Sequence, residues 1–126
     1  EPRIIAVLDW ELATLGHPLS DLAYACMFYR IPPSDTGSGG LAGVDIAELG
    51  IPDEQEFLSL YCKFSGRDRI ADWPFFLSFA YFRMAAITQG VYARALQGNA
   101  ADQRAIKYGE HAKGFAAAGR AMTRQA

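Results

Sequence analysis

From Arg3 to Leu8 the chain reads Arg-Ile-Ile-Ala-Val-Leu, a β-branched and aliphatic run closed by Asp9. That pattern predicts a short buried strand. Gly16-His17-Pro18 is a turn signal, and after it the apolar period becomes helical. Leu19, Leu22, Cys26 and Tyr29 predict a helix from about Leu19 to Arg30, with Ser20 as its cap and Asp21 in its first turn. Ile31-Pro32-Pro33 stops that helix, and the Gly/Ser-rich stretch from Ser34 to Gly43 reads as a mobile surface loop. Ile51-Pro52-Asp53-Glu54 opens a second helix with Phe57, Leu60, Tyr61 and Phe64 as its expected buried stripe and Gly66 as its stop. Asp72 is placed to cap a third, longest helix, with Pro74 in its first turn and an end near Gln97. It carries two apolar stripes, Phe76, Ala80, Met84, Ile87, Val91, Ala95 and Phe75, Phe79, Phe82, Ala86, and is therefore expected to be the centre of the domain. Gly98-Asn99 breaks it, and a fourth helix is expected from about Ala100 to Thr123, with Ile106, Ala112, Phe115, Gly119 and Met122 inward.

The expected architecture is mainly α: one short N-terminal strand or hairpin followed by about four helices, in one domain. A single strand cannot make an independent sheet. Its partner is expected to precede Glu1 in a longer protein, and the absence of an initiator Met points the same way.

Composition narrows the function classes. Of 126 residues, 51% are apolar and 21% charged, a globular balance. The formal net charge of −2 offers nothing to a polyanion, so no nucleic-acid partner is expected. No apolar run approaches the roughly 18 residues that span a bilayer, so no membrane partner is expected either. Nothing at the N-terminus reads as a signal peptide. Cys26 and Cys62 sit singly inside helical patterns, without zinc-ligand spacing, and read as buried small hydrophobes in a reducing, cytoplasmic setting.

The candidate chemistry begins at Asp9. An apolar strand that ends in a carboxylate calls for a partner, and magnesium, which prefers hard oxygen ligands, is one. A solvated turn acid is the other reading. The run Val7-Leu8-Asp9-Trp10-Glu11-Leu12-Ala13-Thr14-Leu15-Gly16-His17-Pro18-Leu19-Ser20-Asp21-Leu22-Ala23 closely resembles the aminoglycoside phosphotransferase family, which shares the protein-kinase fold. The resemblance continues through Trp73-Pro74-Phe75-Phe76-Leu77, Tyr81-Phe82-Arg83-Met84-Ala85-Ala86-Ile87, Gln89-Gly90-Val91-Tyr92 and Leu96-Gln97-Gly98-Asn99. There it is similar to the phosphotransferase-like domains associated with acyl-CoA dehydrogenases.

The resemblance implies a portion of the C-terminal lobe of a protein-kinase-like (α+β) fold. Residues 3–18 would be the strand and metal-binding turn, and residues 19–126 the helical substrate side. It implies that Asp9 binds magnesium, as the Asp of the kinase Asp-Phe-Gly motif does, with Trp10 and Glu11 in place of Phe and Gly. Glu11 is either a contact to a second metal or bound water, or a surface acid paired with Arg3 or another base. Asp21 matches an acid that braces the catalytic loop. His17 stands where many relatives carry Asp and reads as a hydrogen-bonding residue. His111 reads as a solvated polar residue.

The Gly-rich phosphate loop, the nucleotide lysine and the His-Gly-Asp-x-x-x-x-Asn catalytic loop are not found in the chain. The catalytic Asp is therefore expected upstream of Glu1, and the chain alone is expected to be inactive. The implied activity of the parent is ATP-dependent, magnesium-dependent phosphorylation of a small-molecule hydroxyl. The alternatives are an aminoglycoside- or choline-type acceptor, or a catalytically dead interaction module.

Charge distribution bears on the acceptor. Residues 1–72 hold twelve acids against five bases, whereas residues 73–126 hold two acids against seven bases, a local net of +5. An anionic acceptor such as a hydroxyacyl-CoA suits that surface better than a polycationic aminoglycoside. Arg83, inside the apolar central helix, is the individual candidate on the substrate side. Homo-oligomerisation through exposed apolar surface or the edge of the Arg3–Leu8 strand is the remaining partner expectation.

Overall fold

A computed structural model describes residues 3–9, 13–34 and 39–124, the side chain of Gln103 apart. Four helices make up the fold: α1 (Pro18–Cys26), α2 (Glu54–Ser65), α3 (Trp73–Leu96) and α4 (Tyr108–Met122). A 3-10 turn, Met27–Arg30, continues α1, and another, Gln103–Lys107, leads into α4.

The cap of α1 is His17, one turn earlier than Ser20. His17 has extended backbone (φ −77°, ψ 119°), and its Nδ1 accepts from the Leu19 N–H at 3.3 Å. Pro18 takes the first helical position, where its missing N–H costs nothing. Leu19, Leu22, Ala23 and Cys26 then fall on one buried face, and the 3-10 turn adds Met27. The following chain is fastened where a mobile loop was expected. The N–H groups of Gly40, Leu41 and Ala42 donate to the carbonyls of Pro32, Phe28 and Ile31. Residues 35–38 of that loop lie outside the described residues.

Asp53 caps α2 by accepting from the Glu56 N–H at 2.8 Å, and Gly66 closes the helix in the left-handed region (φ 69°). Its inner face is rotated from the expected one. Phe57, Leu58 and Tyr61 pack on Leu19, Leu22 and Cys26, while Leu60 and Phe64 lie exposed. The α1 residues meet Leu58, whereas Phe64 stays in solvent. Two polar ties add to the contact. The Tyr29 hydroxyl donates to Pro52 O at 2.9 Å, and Arg30 forms a two-pronged bond to Glu54, both arms at 3.0 Å.

α3 is the central element, as expected, but it is buried on a different stripe. Leu77, Ala80, Tyr81, Met84 and Thr88 are inside. Thr88 is satisfied within the helix, donating to Met84 O at 2.7 Å. Of the two predicted stripes, the first contributes Ala80 and Met84, with Ile87 half exposed, and Phe75, Phe79 and Phe82 of the second face outward. Asp72 precedes the helix in a left-handed conformation (φ 53°); its carbonyl, not its side chain, accepts from Phe75 and Phe76. α4 lies closely along α3 because two glycines face it. A Cβ on Gly119 would stand 3.1 Å from the Tyr81 Cβ and 3.2 Å from Ser78 O, and one on Gly109 would meet the Tyr92 ring at 3.0 Å. Ser78 Oγ donates to Gly119 O across this contact. α4 begins later than expected, and Ile106, in the preceding 3-10 turn, is exposed.

The core therefore has two parts. One, built on Ala23, Met27, Leu77, Ala80, Tyr81, Met84 and Phe115, joins α1, α3 and α4. The other joins α1 to α2, and Trp73 and Phe76 touch both. The predicted strand at Arg3–Leu8 is not formed. Among the described residues there is no strand, and Ile4, Ile5, Val7 and Leu8 are largely exposed. A strand exists only as a member of a ladder, and among the described residues no second strand pairs with this one.

Candidate functional site

Asp9 sits at the end of the exposed apolar segment with φ 62°, in the left-handed region. Few residues other than glycine adopt it; Asp is among those that do, because its short side chain can bond locally. The carboxylate is exposed. Glu11 lies outside the described residues. Among the described residues no group of three or more His, Cys, Asp or Glu side chains is arranged to hold a metal ion. Asp9 thus offers a single oxygen-donor side chain. That donor chemistry fits magnesium, which takes one or two carboxylates and completes its shell with water and phosphate oxygens.

His17 fixes where the turn meets the helices. Besides capping α1, its ring stacks on Phe76 of α3, with centroids 4.8 Å apart and planes 23° from parallel. Asp21 lies in the first turn of α1, where a carboxylate complements the helix dipole. Its Oδ1 is 3.9 Å from Nη1 of Arg83, whose guanidinium covers the Tyr24 ring at 5.0 Å. Asp21, Tyr24 and Arg83 therefore form one polar seam between α1 and α3. Asp21 is 89% exposed, so the pair contributes little stability. The Arg83 guanidinium is partnered on one side by a carboxylate and on the other by an aromatic face. Asp21 and Arg83 are thus brought together.

The sequence reading did not single out a cleft of about 410 Å³ between residues 30–34 and α4. Ile31, Pro32, Pro33, Phe115 and Ala118 line it, with Arg30, Tyr81, Glu110 and His111 as the polar members. His111 is half buried there, with its ring 5.5 Å from that of Tyr108. Burial pushes the Tyr81 hydroxyl up from the usual phenol range; the Arg30 charge opposes this and Glu54 adds to it. The sequence signal was a tyrosine inside an apolar helix, but nothing local says which face it occupies. In the part of the core between α1 and α2, Cys26 is fully buried, and burial, reinforced by Glu54, pushes its thiol up to about 12.

Comparison with known proteins bears on the turn and α1 first. Residues 1–56 match the family described as Phosphotransferase enzyme family. That segment holds Asp9, His17-Pro18 and Asp21, in agreement with the resemblance read from Val7 to Ala23. Similarity to individual proteins runs further along the chain. Acyl-CoA dehydrogenase family member 11 of Homo sapiens is 48% identical over 104 residues, 79% of this chain and 13% of that protein. Acyl-CoA dehydrogenase family member 10 of Mus musculus is 44% identical over 108 residues, covering 86% of this chain and 10% of its own length. The probable acyl-CoA dehydrogenase IBR3 of Arabidopsis thaliana is 41% identical over 117 residues, 89% of this chain and 14% of that protein. The chain thus spans a small part of these relatives. No solved structure matches it.

Proposed function

We propose that this chain is the metal-holding and acceptor-side portion of an ATP-dependent phosphotransferase acting on a small-molecule hydroxyl. It would belong to the C-terminal lobe of a protein-kinase-like fold. The observation that carries the reading is the family match over residues 1–56, which includes Asp9 and Asp21. Residues 3–18 form the metal turn and residues 19–126 the acceptor side.

Asp9 would hold magnesium, with Glu11 as a second candidate. When bound, the ion neutralises charge on the transferring phosphates. The chain's own residues supply position. His17 pins the turn to α1 and α3, and Asp21 braces the catalytic loop, whose acid orients the acceptor hydroxyl for in-line attack on the γ-phosphoryl group. That loop comes from residues outside this chain.

An anionic acceptor, a hydroxyacyl-CoA, suits the net charge of +5 over residues 73–126, and the names of the relatives are in keeping with it. Arg83 is shared with Asp21, so an acceptor contact through it is coupled to that carboxylate. The free thiols of Cys26 and Cys62 agree with a reducing cytoplasmic setting. No helix is long and apolar enough among the described residues to cross a membrane. The exposed apolar segment from Ile4 to Leu8 would support self-association.

The test is Asp9→Asn in the full-length protein. Phosphoryl transfer to hydroxyacyl-CoA should fall by about 10²–10³-fold, the cost of removing one electrostatic stabiliser, with the fold intact. Turnover near the parent level in that variant would remove Asp9 from the site. Efficient phosphorylation of kanamycin or choline with none of a CoA ester would overturn the acceptor class, and no transfer by the parent to any hydroxyl would favour an inert scaffold.

A further inference from the structure

The cleft between α4 and the Ile31-Pro32-Pro33 corner is enclosed by groups of an uncommon combination. Its walls are aliphatic and aromatic carbon from Ile31, Pro32, Phe115 and Ala118. Its volume of about 410 Å³ lies in the range of small-molecule sites, which are mostly apolar with a few placed polar groups. Its charged members already have partners. Arg30 is held two-pronged by Glu54, and Glu110 is bonded to Lys113 at 2.7 Å. Tyr81 differs from them. Its side chain is only 3% exposed, it lines the cleft, and its hydroxyl makes no hydrogen bond to any described residue. The hydroxyl is not sealed from solvent, since Trp73 Nε1 is the buried side-chain polar atom left without a partner among the described residues; lining the cleft, the hydroxyl is a donor available to what enters there.

We propose that this cleft binds an uncharged small molecule with an apolar body and a carbonyl oxygen, which accepts the Tyr81 O–H. The charge balance selects the class. An ionic ligand would share Arg30 with Glu54 or Glu110 with Lys113 for its counter-charge, whereas a carbonyl needs only the Tyr81 donor. The site lies at the far end of α1 and its 3-10 extension from the His17 turn, roughly 20 Å along the axis at standard helical rise. It does not depend on the phosphotransferase reading.

The experiment is a matched pair of probes, benzophenone and diphenylmethane, titrated calorimetrically into the full-length protein. They share the apolar body and differ by the carbonyl. Benzophenone should bind about five- to tenfold more tightly, the value of one net hydrogen bond. Tyr81→Phe should erase that difference and leave the diphenylmethane affinity unchanged. Gly114→Leu gives a second variant that does not touch the core: a Cβ at Gly114 meets nothing within 4 Å, and the position lines the cleft. It should weaken both probes by about tenfold or more with the circular dichroism spectrum unchanged, since filling the mouth removes the contact area. Equal affinity of the two probes for the parent, a difference that survives Tyr81→Phe, no saturable binding of either probe, or full binding in Gly114→Leu would each overturn the proposal.

Discussion

At the residue scale, the structure turns several titratable side chains into structural ones. Cys26 is the clearest. Its thiol is fully buried and lifted to about 12 from an ordinary 9.0, first by burial and then by the nearby Glu54 carboxylate. A thiol whose folded pKa is raised stabilises the fold fully below pH 9.0, and that contribution is lost as pH rises from 9.0 toward about 12. Stability measured by urea denaturation should therefore fall on the alkaline side of pH 9, and Cys26→Ala should make that slope shallower. An unchanged slope in the variant would assign the alkaline loss to the tyrosines, of which Tyr29 and Tyr81 are also shifted upward by burial. The same burial makes the Cys26 thiol a poor nucleophile. Arg83 is a second case. Sequence reading took it as a candidate for an acceptor because a guanidinium within an apolar helix needs a partner; Asp21 and Tyr24 are the partners the fold provides.

At the scale of elements, the α3–α4 contact decides how the C-terminal half packs, and two of the three glycines in α4 have opposite meanings. Gly119 is in contact with the backbone of α3, with Ser78 O and the Tyr81 Cβ both inside ordinary contact distance of an added Cβ. Gly114, on the same helix, has open space around it. Gly114→Ala should raise stability by up to about 1 kcal/mol, the difference in helix propensity. Gly119→Ala should lower it by about 1–3 kcal/mol despite the same propensity gain, because neither neighbour can move without moving a helix. Thermal unfolding of the two variants checks this, and a stabilised Gly119→Ala would mean that the helices separate easily. Helix ends were the most readable part of these elements. Asp53 and Gly66 act within their own turn and appear where their spacing placed them. The cap of α1 was displaced from Ser20 to His17 because Pro18 already belongs to the helix, leaving the residue before it as the last with extended backbone.

At the scale of the whole molecule, the apolar surface is unusually open. Ile4, Ile5, Val7 and Leu8 are mostly exposed, and Phe75, Phe79 and Phe82 run along the outer side of α3. Exposed apolar patches of this kind favour association. The 126-residue chain should therefore self-associate with rising concentration in sedimentation velocity, and charged replacements at Ile5 and Phe82 together should reduce it. A single monomeric species across the concentration range would rule this out. The helices, most of their boundaries and the acid–turn–helix run from Asp9 to Asp21 were determined by the sequence alone, because each rests on interactions among residues a few positions apart. The covered face of α3, the rotation of α2 and the meeting of Asp21 with Arg83 were decided by tertiary structure. So was the cleft over Tyr81. α3 is apolar nearly all round, so its own periodicity cannot choose a buried side; α1 and α4 choose it by where they land. The expected strand failed for the same reason, since Arg3–Leu8 carries the right residues but its hydrogen bonds must come from another segment.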